Sequence, residues 1–138
     1  LSSSSAASDV YKRQLFNSGR LVGVTSFIGS IIAIWLALRV ANMTRENEDA
    51  NVVQKLVSTA FGLLIVAGTW MAMTLATSTW VITAYNLDLL ESRSVFSDKF
   101  IEYVGTTELP VTSPMPMQMI FLAIVAIMIV SIIWTPKK

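Results

Sequence analysis

The densest cluster of metal-capable side chains is Pro114-Met115-Pro116-Met117-Gln118-Met119, where three thioethers alternate around Pro116. Thioethers are soft ligands suited to Cu(I), so Met115, Met117 and Met119 are the candidate metal residues. Methionine is also a flexible apolar filler, and packing where a helix begins is the favoured reading of the three. The sequence has no histidine and no cysteine to complete a soft-metal set. The same absences remove imidazole ligation, thiolate clusters, disulfides, cysteine nucleophiles and any Ser-His-Asp triad within the chain. Glu102 and Glu108 are close in sequence, but a paired-carboxylate site needs an enclosed cleft, and they read as part of a solvated acidic loop. No phosphate loop, dinucleotide fingerprint or nucleophile elbow occurs. The reading therefore contains no catalytic residue and no cofactor, and an enzyme is the least supported class.

A second chemical candidate is the hydroxyl group of residues Thr69, Thr74, Thr77, Ser78, Thr79 and Thr83. Lined up on a membrane helix they would make a polar path. More often such hydroxyls bond the carbonyl three or four residues back, or a neighbouring helix. The surrounding apolar runs carry no Asp, Glu, Lys or Arg. Ion-coupled carriers place ionisable groups inside the membrane, so an autonomous proton-coupled carrier is disfavoured.

The elements that hold these residues follow from hydropathy. The chain has 138 residues, 54% apolar and 14% charged, with a mean hydropathy of +0.62. Soluble domains carry about 25% charged residues, so this chain lacks the polar surface to cover a water-soluble globule, and disorder is excluded by the same numbers. The net charge of +1 gives no footprint for nucleic acid. Leu21–Leu38 and Met117–Trp134 are uncharged, and Leu56–Leu87 is the longest uncharged run. A bilayer span needs about 20 residues. The expected fold is all-α and integral to the membrane: a single membrane domain over 15–138, with three transmembrane helices at about 20–41, 55–83 and 117–134.

The connections differ. Asn42–Lys55 is short and polar, with Thr44 or Asn47 as the expected helix cap and Glu48 and Asp49 near the positive end of the dipole. The second connection, 86–116, is long and acidic. Within it Val95, Phe96, Phe100, Ile101, Tyr103 and Val104 recur near helical spacing, which predicts a short amphipathic helix over Ser94–Val104, ended by Gly105. That helix is expected on the membrane surface or against the bundle. Thr106–Pro116 is expected to be extended, with Pro116 in the first turn of the last span.

Small residues mark the expected helix contacts. On the first span Gly19, Gly23, Ser26, Ser30, Ala33 and Ala37 are spaced 4, 3, 4, 3, 4. On the second, Ser58, Gly62, Ile65, Thr69, Ala72, Ala76, Thr79 and Thr83 keep the same spacing, with only Ile65 large. Small residues let backbones approach where lipid offers no hydrophobic drive, and a 3.5-residue period favours crossing at about +20°. The stripes predict a tight antiparallel first hairpin. The third span is dominated by Ile, Val, Met and Leu and reads as the most lipid-facing.

Leu1–Gln14, LSSSSAASDVYKRQ, differs in composition from the rest and resembles translated adapter sequence from the ends of metagenomic assemblies; its specific part is Asp9-Val10-Tyr11-Lys12-Arg13-Gln14. The resemblance implies a non-native, unstructured tail. With it set aside, Arg20, Arg93 and Lys99 fall on one side of three spans, against Arg39, Arg45, Lys55, Lys137 and Lys138 on the other. The positive-inside rule then gives N-outside, C-inside, as expected in a bacterial inner membrane. With the tail included the sides are equal. The reading is a small non-enzymatic membrane subunit or scaffold that forms a homo- or hetero-oligomer through its helices, with the lipid bilayer as its other partner. Two alternatives stand beside it. In topology and basic C-terminus the chain resembles phage holins, which implies a pore-forming or transport component, although the long acidic connection departs from them. A start at Leu1 instead of Met suits the C-terminal part of a larger multi-span protein.

Overall fold

Three long apolar helices and one short amphipathic one form, in the order α1 (Ser2–Glu46), α2 (Val52–Asp88), α3 (Val95–Val104) and α4 (Pro116–Trp134). The computed structural model describes residues 2–90 and 94–136, with side chains from Gln14 onward except at 15 and 16. The parts of α1, α2 and α4 that are long and apolar enough to cross a membrane are Asn17–Glu46, Val52–Asp88 and Pro116–Trp134. Each contains one of the three spans expected from hydropathy. Ser2–Gln14, expected to be unstructured, continues the α1 helix. That stretch contains Ala, Lys, Arg and Gln, which propagate a helix readily once a neighbouring turn exists.

The helix ends are set by local chemistry. Asn51, and neither Thr44 nor Asn47, caps α2: its Oδ1 accepts from Gln54 N at 2.9 Å while Gln54 Oε1 accepts from Asn51 N at 3.2 Å. This reciprocal pair satisfies two backbone donors that would otherwise be orphaned. Thr44 stays inside α1, donating to Val40 O at 2.9 Å, and Asn47 Oδ1 accepts from Asp49 N in the turn. The amphipathic helix starts and stops as its sequence predicts. The Ser94 side chain caps it by accepting from Ser97 N, and Gly105 ends it with φ of 80°, a left-handed conformation that costs a residue without Cβ little. Pro116 occupies the first turn of α4, where its missing N–H removes no helical bond.

Contacts fix the register of the bundle. Thr44 and Ser58 hydroxyls lie 2.6 Å apart at one end of the α1/α2 hairpin. At the other end a Cβ on Gly19 would sit 3.9 Å from Thr79 Cγ2. The two helices are therefore antiparallel. Helix α4 runs antiparallel to α2 as well, since Thr77 lies against Gln118 and Thr59 against Trp134. Its 19 residues rise about 28 Å, close to one hydrocarbon core. Helix α2 overshoots the start of α4 by residues 78–88, about three turns, and α3 packs on that overhang.

The cluster shared by α1 and α4 lies at the opposite end, while Val81 and Ala84 are buried on the overhang itself. Ile34, Ala37 and Ala41 of α1 meet Val125, Ile129 and Ile133 of α4, with Leu38, Ile65, Val66 and Ile132 around them. Leu122, Val125, Ile129 and Ile133 are all at most 4% exposed and are spaced 3, 4, 4, which puts them on one face. This corrects the expectation that the third span is the most lipid-facing: α4 has the largest buried share of the three. Its large aliphatic side chains are the knobs that fill the space left by small residues on α1 and α2.

Candidate functional site

The small-residue stripes do two different jobs. In the lower half of the bundle they seat α4. Gly62 is buried, and a Cβ built there would lie 2.6 Å from Ile129 Cγ2. Its missing side chain is therefore the socket for Ile129. Ala37 is 2% exposed, Thr69 is buried, and Ser30, Ala33 and Ser58 are half-buried. The hairpin partner predicted for Gly62 was α1; the residue it actually admits belongs to α4.

In the upper half the same stripes border an open space. Gly23 and Ser26 of α1 face Ala72 and Ala76 of α2 across a cleft of about 480 Å³, and Gly19 and Thr79, which meet at one end of the hairpin, also line it. Phe27, Leu75 and Trp80 are among its other walls, and Arg20 is the one charged residue among those that line it. Gly23 is half-buried, and nothing stands within 4 Å of the place its Cβ would take. No side chain of α4 lines this cleft. Trp80 stacks on Phe100 at 5.7 Å between ring centroids and meets Tyr103 at 6.2 Å. Sequence patterning identified the stripes; it held no signal that one half would be filled and the other left open.

The hydroxyls of α2 mostly serve their own helix. Thr74, Thr77, Thr79 and Thr83 donate to the carbonyls of Trp70, Met73, Leu75 and Thr79 at 2.8–3.1 Å. Besides Ser58, two further hydroxyls of α2 mark helix contacts. Thr59 Oγ1 donates to Lys55 O and accepts from Trp134 Nε1 at 3.1 Å. Thr77 Oγ1 lies 3.4 Å from Gln118 Oε1, which itself accepts from Met115 N. Gln118, passed over in the sequence reading, thus ties the start of α4 to α2.

The three methionines differ in exposure. Met117 is 76% exposed while Met115 and Met119 are half-buried. Met117 and Met119 are two residues apart on one helix, and such residues do not face each other. Glu102 and Glu108 are exposed. Among the described residues no group of three or more His, Cys, Asp or Glu is placed to hold a metal ion. Arg93, Lys137 and Lys138, which enter the charge count, lie outside the described residues.

Fold and composition together define a helical bundle with three candidate membrane spans. No protein-family model matches the chain, and neither a curated protein nor a solved structure does.

Proposed function

We propose that this chain is a small non-enzymatic membrane subunit or scaffold that assembles through the outward face of α2. One observation carries the reading. Val53, Val57, Ala60, Leu64, Ala67 and Met71 are spaced 4, 3, 4, 3, 4, and all are exposed. Beside them Gly68 has open space where a Cβ would stand. This seam lies opposite the face that carries Gly62 and Thr69. Its period suits left-handed helix pairing, and Ala60, Ala67 and Gly68 allow a second backbone to come close. The remaining exposed apolar surface suits lipid. The excess of Arg and Lys around the short connection and the C-terminus supports an inner-membrane protein with its N-terminus outside.

The test is the mass of the complex in mild detergent, paired with disulfide trapping at introduced cysteines, which is clean in a chain without native ones. Ala67→Cys is expected to cross-link two copies, whereas a different membrane partner is read from added mass in the detergent complex. Gly68→Leu is expected to abolish that link while leaving the thermal unfolding midpoint unchanged. A chain that stays monomeric without a co-purified partner, and whose assembly ignores Gly68→Leu, would sink the proposal. Labelling of Thr106→Cys from the outside of spheroplasts checks the orientation.

A further inference from the structure

We infer that the cleft between α1 and α2 is a binding site for a single anionic phospholipid, with its phosphate on Arg20 and one acyl chain between Gly23 and Ser26 on one side and Ala72 and Ala76 on the other. Four observations lead there. The first is charge: the walls are apolar or hydroxyl-bearing, Arg20 is their single charged residue, and none of the lining residues carries a carboxylate. Arginine is well matched to phosphate, which it can hold through two parallel hydrogen bonds.

The second is depth. Thr77 meets Gln118 at the first turn of α4, so the hydrocarbon boundary on α2 falls near Thr77. Gly19 meets Thr79 just beyond it, so Arg20 stands at headgroup level. The rest of the cleft, toward Phe27 and Ala72, runs down into the acyl region. A cationic rim above an apolar slot has the layout of a phospholipid.

The third is size. The cleft holds about 480 Å³. A thin hydrocarbon chain fits, within the roughly 300–1,000 Å³ usual for small-ligand sites. The fourth is the use of glycine. Gly23 leaves open space where Gly62, in the same pair of stripes, is filled by Ile129. An apolar gap at membrane depth forfeits dispersion contacts unless lipid enters it.

The experiment is native mass spectrometry of the whole chain in mild detergent, titrated in parallel with phosphatidylglycerol and phosphatidylcholine. One phosphatidylglycerol is expected to be retained about fivefold more tightly than phosphatidylcholine, and Arg20→Gln to erase that preference. Gly23→Leu, which fills the slot, is expected to lower retention of both lipids at least about tenfold. Ala76→Leu repeats the block from the opposite wall should Gly23→Leu fail to fold. Equal retention of the two lipids by the parent chain, or retention unchanged by both blocking variants, overturns the inference. A change in oligomeric mass with Gly23→Leu, with lipid retention untouched, overturns it too, by assigning the cleft to a second copy. Gly68→Leu should leave lipid retention unchanged, which keeps this outcome separate from the assembly proposal.

Discussion

The two halves of the α1/α2 hairpin are built from one pattern and end in opposite states. Both carry small residues at a 3.5-residue period. Toward the short connection, Ile34, Ala37 and Ala41 are buried with Val125, Ile129 and Ile133, and the Thr44 and Ser58 hydroxyls meet. Toward the long connection, Gly19, Gly23 and Ser26 border a cleft that no α4 side chain lines. A row of small residues is thus a permission for close packing and not its cause. What closes the lower half is a third helix with large aliphatic knobs, and dispersion contact in lipid rewards only surfaces that actually meet.

The comparison breaks most severely at the knob. Ile129→Ala removes a fully buried side chain seated over Gly62. It should cost about 2–5 kcal/mol, seen as earlier unfolding in detergent titrations. A loss no larger than that from an exposed residue of α4 such as Ile127 would show that the lower half is as loosely built as the upper.

Next in size is the paired glycine test. Gly62→Ala forces a Cβ to within 2.6 Å of Ile129 Cγ2 and should cost about 1–3 kcal/mol by overpacking. Gly23→Ala meets nothing within 4 Å and should be neutral or slightly stabilising, since alanine is the better helix former. Equal effects at the two sites would remove the distinction between a filled and an open half.

The smallest effect belongs to the interhelical hydrogen bond at the edge of the core. Trp134→Phe keeps most of the aromatic area and deletes the Nε1 donor to Thr59 Oγ1. Membrane interhelical hydrogen bonds average about 0.6 kcal/mol. A shift of that order, reproduced by Thr59→Val, would assign the contact to anchoring α4.

Much of the architecture was legible because it depends on near neighbours. Ser94, Gly105 and the apolar spacing between them bounded α3, because capping and amphipathicity are properties of a few adjacent residues. Pro116 and Trp134 bounded α4 in the same way. The cap of α2 was misplaced by a few residues because Thr44, Asn47 and Asn51 are all chemically able to cap. What chose Asn51 was its reciprocal bond with Gln54, together with the continuation of α1 through Thr44. The spacing of Met115, Met117 and Met119 does not display that helical geometry turns Met117 away from Met119.

Three segments apolar and long enough to cross a membrane, the place of the amphipathic helix and the small-residue helix faces all follow from the order of residues along the chain. Those are one-dimensional consequences of hydropathy, period and capping. Which face meets which partner depends on packing between helices far apart in the chain. Gly62 received Ile129 instead of a residue of α1, α4 turned inward, α3 settled on the overhang of α2, and the upper stripes, which meet at Gly19 and Thr79, left a cleft at Gly23. The reason is that a membrane helix is apolar on every side. Hydropathy therefore cannot mark its inner face, and only the fit of knob to socket between helices distant in sequence does so.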